Sequence, residues 1–338
     1  RRHTRCARWS RGLGDVYKRQ GLVHLHQGNY AEAGMFFEQA LPILQEIGNR
    51  RGEGMTLNDL GILAWEQGDY TRARAYLERV QRIYREIGFR QGEAIILGNL
   101  GGISIEQHQY GEARAYLEQA LLVFREVGDR QNEGTMLGNL GAVFSELGDH
   151  ERARICYEQA LGICREIGDR PGEGITLANL GFLFHCLDDD ESAQEYSQQA
   201  LHIVRDIGDR FHEGYALTFL GHALAGLGHL EEATAAYKQA LRLRRELGLP
   251  GLTIEPLAGL ADLSLVREEP SQARAHVQEI LDLMETETLE GTGNPFWVYL
   301  TCYRVLRASQ DPRAPEILAT AHTLLQERAA RIDDQDLR

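Results

Sequence analysis

The chain has 338 residues, 50 of them acidic and 36 basic, for a formal net charge of -14. Its length exceeds one ordinary compact core and points to two domains or one elongated repeat array, while 43% apolar and 25% charged residues argue against a disordered chain. No run of eighteen apolar residues and no apolar stretch after the start is visible, so the expectation is a cytoplasmic chain without membrane contact.

Residues 1–20 carry six arginines and Lys18 against Asp15, so the remainder is strongly acidic and repels phosphate backbones; no direct nucleic-acid binding by the body is expected. With no initiator methionine, and with the string RWSRGLGDVYKRQ resembling a spurious translated end, residues 1–20 are expected to be non-native or disordered, the true chain continuing upstream. From residue 21 one block recurs every 40 residues. Gly21, Gly61, Gly101, Gly141, Gly181 and Gly221 fall in one column; Leu57 to Leu257 and Leu60 to Leu260 form two more, and Ala33 to Ala273 a fourth.

Within a block, Leu57, Leu60, Gly61 and Ala64 are spaced as one face of a helix over about 53–67. Gly68 and Asp69 supply a left-handed stop and an N-cap, and Asn29 with Glu32 has capping-box spacing at the same place in the first block. A second helix over about 71–87 carries Ala73, Leu77, Val80, Ile83 and Tyr84 on one stripe, and Gly88 ends it. Such a hairpin has apolar residues on more than one side and buries them only by stacking on copies of itself. The array is expected over 21–286, about seven repeats with the first lacking most of its first helix, an omission that would expose apolar surface and allow self-association. Residues 287–338 are expected to form a degenerate eighth hairpin that caps the array, because the phase slips at Pro295 although Ala314, Leu318 and Ala321 keep second-helix spacing.

The pattern Leu57, Leu60, Gly61, Ala73, Val80, repeated as Leu137, Leu140, Gly141, Ala153, Ala160, resembles the tetratricopeptide repeat. The period of 40 is similar to the longer repeats of kinesin light chains, Pins-type scaffolds and the helper arrays of bacterial regulatory ATPases and transcriptional activators. The resemblance implies an all-α, right-handed superhelical solenoid of stacked hairpins that binds a peptide or partner helix in a concave groove lined by the first helices.

No catalytic motif stands out. There is no phosphate-binding G-x-x-x-x-G-K-[ST] loop and no H-E-x-x-H. The five cysteines form no C-x-x-C pair and read as reduced thiols. His185, Cys186 and His222 could converge on a metal, but without matched ligand spacing they read as ordinary groove or core side chains; no cofactor is expected. The acidic run 188–191 reads as a solvated helix start. Recurring Arg50 with Glu53, and their counterparts in later blocks, read as loop pairing.

One column looks functional. The residue before each Leu-Gly pair reads Asp59, Asn99, Asn139, Asn179, Phe219, and a ladder of carboxamides can bond an extended peptide backbone whatever its side chains. The resemblance implies that role; pairing that only holds repeats in register is the competing reading. Ile62, Trp65, Phe182, His185, Tyr215 and His222 would line the same groove, its middle left open by Gly98, Gly102, Gly138, Ala142 and Ala178. Lys238 is the only lysine after Lys18, and the groove glutamates favour a basic or apolar protein or peptide ligand. The function expected is a non-catalytic interaction module from a larger bacterial signalling or regulatory protein; the alternative is the arm of a regulator or ATPase that senses a small molecule or signalling peptide.

Overall fold

The structure, a computed structural model, describes residues 2–330 apart from 288, 290 and 291, and the side chains from residue 13 onward apart from those three and residue 26. Among the described residues there is no strand and there are sixteen α-helices in eight successive hairpins. They are α1 (Arg2–His26) with α2 (Tyr30–Glu46), α3 (Arg50–Glu66) with α4 (Tyr70–Glu86), α5 (Arg90–Glu106) with α6 (Tyr110–Val127), and α7 (Arg130–Glu146) with α8 (His150–Ile167). There follow α9 (Arg170–Cys186) with α10 (Asp190–Asp206), α11 (Arg210–Gly226) with α12 (Leu230–Glu246), α13 (Ile254–Val266) with α14 (Pro270–Met284), and α15 (Pro295–Ala308) with α16 (Ala314–Ala330). Residues up to Asn139 form one compact unit and those from Leu140 a second.

The glycine column has a definite job. A Cβ on Gly21 would lie 2.5 Å from the Phe37 ring, on Gly101 2.8 Å from Leu117, on Gly141 2.6 Å from Tyr157 and on Gly221 2.5 Å from Tyr237. Each of these four first helices therefore carries a notch that seats one large side chain of its own second helix. At Gly181 the partner is small Ser197, and the backbones close in until Ala193 O would be 3.2 Å from a Cβ. The alanine column, from Ala33 to Ala273, is fully buried at the same crossing.

Successive hairpins are clasped by the recurring glutamate of the first helix. Glu173 Oε2 accepts from Arg170 at 2.7 Å and Oε1 from Arg165, at the end of α8, at 2.9 Å. Glu133 is held in the same way by Arg130 at 2.6 Å and Arg125 at 3.0 Å. Glu53 takes Arg50 at 2.6 Å, with Gln45 and Arg79 as further donors. The carboxylates are buried and the arginine partners half-exposed, so the pair is a charged bond with one face dry.

Several local expectations need correction. Residues 2–20 form most of α1, and Gly14 and Gly21 on it pack against Leu44 and Phe37, so the first hairpin has a full first helix and Phe37 is fully buried. Asn29 sits at the N-cap of α2 but makes no capping hydrogen bond, its amide turning to Gln27 instead; Asn49, Asp69, Asp149, Asp169, Asp189 and Asp209 do cap. The left-handed turn expected of glycine persists where glycine is missing: His108, Asp188, Glu268 and Gln310 have φ of 55, 60, 57 and 55°. Turn geometry here is imposed by the hairpin, and the residue conforms.

Two measurements follow from this packing. Gly141→Leu drives a branched side chain into the Tyr157 ring and should destabilise the array by about 3 kcal/mol or more; an unchanged thermal melt contradicts the notch. Glu268→Gly relieves a left-handed non-glycine residue on an exposed turn and should stabilise by about 0.5–1 kcal/mol, read from the denaturant midpoint.

Candidate functional site: the first-helix face

In the first unit the face holds Asp59, Asn99 and Asn139, all half-buried, one per helix. Asn99 Nδ2 donates to Asn58 Oδ1 of the preceding hairpin at 3.0 Å. That bond sets register, and it leaves the Asn99 carbonyl oxygen and a second amide proton for a ligand. Apolar side chains flank the polar row, with Met55 42% and Ile95 38% exposed. The middle is less open than the glycines suggest. A Cβ on Gly98 would lie 3.0 Å from Met136 Cε, and one on Gly102 would strike the Trp65 ring; these two glycines are seats for neighbouring side chains, whereas Gly138 meets nothing within 4 Å. Trp65 is thereby laid down on the next hairpin, while Ile62 beside it stays half-buried.

In the second unit the face is aromatic. Phe182 and Phe219 have ring centroids 4.8 Å apart, Tyr215 lies 6.0 Å from Phe219, and His185 stacks on His222 at 5.4 Å with planes 10° apart. Asn179 remains half-buried beside them. Phe219 and His222 depart from expectation: they are 5% and 4% exposed, members of the packed layer and not open groove wall. His222 Nδ1 is 2.8 Å from the Tyr237 hydroxyl and Nε2 is 3.1 Å from Glu255 Oε1. Glu255 Oε2 accepts from the Gly293 N–H at 3.0 Å. Burial pushes the Glu255 carboxyl up, but the His222 bond and charge and the Gly293 N–H outweigh it and hold the group below its ordinary value.

His185 Nδ1 pairs with Asp190 Oδ1 at 2.6 Å. Burial and the neighbouring His222 keep its pKa below the ordinary value in spite of that carboxylate. Both imidazoles are thus committed to protein partners, and no metal-binding group of three His, Cys, Asp or Glu is found among the described residues. The acidic run resolves into roles: Asp188 makes the left-handed turn, Asp189 caps α10 through Ser192 N at 3.1 Å, and Asp190 orients His185.

Two members of this cluster were missed in the sequence, although each breaks its own column. Glu255 stands where the second to sixth blocks have Met55, Ile95, Thr135, Ile175 and Tyr215. Arg244 stands where they have Leu44, Tyr84, Phe124, Cys164 and Val204, and is 2% exposed. Its guanidinium carbon lies 4.3 Å from the centroid of the Tyr215 ring, and its Nε and Nη1 find no hydrogen-bond partner among the described residues. Among the described residues, no helix is long and apolar enough to cross a membrane.

Asp59 is the titrating member of the column. Burial raises its carboxyl from 3.8 to about 6, and Lys18 Nζ, 3.8 Å away and beyond hydrogen-bonding reach, only partly offsets this. The folded chain then holds this proton more tightly than the unfolded chain, so its contribution to stability is lost as pH rises from about 4 to 6 and stays lost above. Asp59→Asn should raise the melting temperature at pH 7.5 and leave it nearly unchanged at pH 4; an equal shift at both values contradicts the assignment.

Comparison with known proteins completes the picture. The family model for the tetratricopeptide repeat matches residues 16–86, 92–166, 147–206 and 173–246. No curated protein sequence matches. Among solved structures, the apo quorum sensor NprR of B. thuringiensis is similar at a TM-score of 0.69 and 16% identity, covering 92% of this chain and 87% of that one. Aspartyl phosphate phosphatase F of Bacillus subtilis is similar at 0.69 and 15%, covering 84% and 73%. A STAND signal-transduction ATPase with a tetratricopeptide repeat sensor from Pyrococcus horikoshii is similar at 0.63 and 15%; 92% of this chain is covered but only 47% of that protein. The 40-residue block, the glycine notch and the family match over more than half the residues agree: the chain belongs to the tetratricopeptide repeat family.

Proposed function

We propose that this chain is a non-catalytic protein-interaction module whose first-helix face takes a peptide or partner helix. The observation that carries the reading is the row in the first unit: recessed Asn99 and Asn139 carboxamides bordered by exposed Met55 and Ile95. A polar row with apolar borders suits a peptide backbone in the row and apolar side chains at its rim. The acidic side chains on the same helices, Glu66 and Glu106, favour apolar or basic segments over acidic ones.

A second reading is a sensor arm, in which occupancy of the face is passed to another part of a longer protein. It is favoured by the aromatic face of the second unit, where the rings are in contact with one another and with residues of the eighth hairpin. The fold shared with a quorum sensor and with the sensor of a signal-transduction ATPase accords with it.

To test the main reading, a displayed random-peptide library is panned on the full chain and the selected peptide is titrated by calorimetry. Asn99→Ala with Asn139→Ala should weaken that peptide at least tenfold while the far-ultraviolet circular dichroism is unchanged. Undiminished affinity in the folded double variant would falsify the assignment.

A further inference from the structure

In a stack of hairpins each copy touches its neighbours. The start of the eighth hairpin does more. The Gly293 N–H is bonded to Glu255 on α13 at 3.0 Å, and a Cβ on Gly293 would lie 3.0 Å from the Phe182 ring on α9. The Trp297 indole stands edge-on to His222 on α11, centroids 4.9 Å apart and planes at 88°. Segment 292–297 thus meets the seventh, sixth and fifth hairpins, and its contacts fall on the face where Phe182, His222 and the aromatic ladder stand. Farther along the eighth hairpin, Arg328 of α16 lies over the Phe296 ring at 5.3 Å and reaches Glu146 of α7 at 3.7 Å.

The chemistry of this contact is that of a bound ligand more than of a core. Phe296 and Trp297 are half-buried, as is Phe182 beneath Gly293. Asn294 pre-forms the helix start by accepting from Trp297 N at 3.0 Å, and Pro295 at the first helical position fixes the backbone. The segment offers one aromatic side chain and one backbone N–H to a surface offering an aromatic platform and one buried carboxylate oxygen. That oxygen, Glu255 Oε2, loses the Gly293 N–H donor once the segment lifts.

We propose that the first-helix face of α9, α11 and α13 is a receptor for a peptide presenting an aromatic residue at a helix start, and that the chain's own residues 292–297 hold it closed. A partner of the same chemistry then binds by displacing this segment, which frees the eighth hairpin and couples occupancy to whatever that hairpin contacts. The inference rests on the reading of the first-helix face as a peptide site, and it adds the ligand class and the internal competitor.

The probe is a labelled synthetic peptide, Thr-Gly-Asn-Pro-Phe-Trp-Val-Tyr, copying residues 292–299, titrated by fluorescence anisotropy into the full chain. Trp297→Ala removes the internal competitor's anchor, so the peptide should bind this variant at least tenfold more tightly than the unaltered chain. Adding Phe182→Ala to Trp297→Ala should abolish the gain, because the platform is gone. In the unaltered chain, excess peptide should accelerate hydrogen exchange at the Gly293 amide. If Trp297→Ala loses its helical signal, Asn294→Ala, which deletes only the cap bond, carries the same comparison. Equal affinity for the unaltered chain and the folded variant, or no saturable binding to the variant, overturns the inference. Either result leaves the carboxamide row of the first unit to its own titration, so the two failures are told apart.

Discussion

The first six hairpins depend on a side chain of the second helix sitting in a notch on its own first helix. Because the notch is a glycine, the two helices of a hairpin can turn about their axes only a little before Phe37, Leu117, Tyr157 or Tyr237 collides with backbone. Fixing that rotation fixes which residues of the first helix face the neighbouring hairpin, namely the two leucine columns, and which are left over. The leftover positions, those of Asp59, Ile62 and Trp65 in the second hairpin, become the functional face by default. Function here is what remains of a helix surface after two packing contacts have been met.

The glutamate clasp works at the next level. A notch orients helices within a hairpin but says nothing of the rise from one hairpin to the next. Glu133 and Glu173 each take one arginine from the second helix before and one from their own first turn, so hairpin and successor share a buried carboxylate. Such a carboxylate is stable only while both donors are present, since a buried charge that loses a partner bears its desolvation alone. The shared carboxylate holds side chains of one hairpin against those of the next, as Asn99 with Asn58 or Phe182 with Phe219.

How much of this the bare sequence discloses follows from what repeats. Helix positions, turn glycines and the buried alanine column were legible because six or seven copies report the same constraint. The groove was legible only by column, and it failed where a small residue has two meanings. Gly138 does leave space, but Gly98 and Gly102 are the shelves on which Met136 and Trp65 lie, and nothing in one chain's letters says which neighbour will fill a gap. His222 failed for another reason. Its column neighbours are Ile62, Gly102, Ala142 and Phe182, all compatible with a face, yet Tyr237 and Glu255 approach from two other helices to give both ring nitrogens partners, and that convergence is tertiary.

The breaks in the columns carry more functional information than the columns themselves. A position identical in every hairpin cannot distinguish one ligand from another and is explained by stacking alone. Arg244 in an apolar column, Glu255 in a column uncharged from Met55 to Tyr215 and Phe219 in the carboxamide column all fall in α11 to α13. The two charged ones are unfavourable on local grounds, since a buried guanidinium or carboxylate must recover its hydration from the protein. Their proximity supplies that recovery in part for Arg244, over the Tyr215 ring, and more fully for Glu255, from His222 and Gly293. One of those donors, the Gly293 N–H, comes from a segment that also touches Phe182 of the fifth hairpin and His222 of the sixth. A charged group whose satisfaction depends on a half-buried segment of the next hairpin ties the local chemistry of the face to the position of that segment, and a ligand acting on one acts on the other.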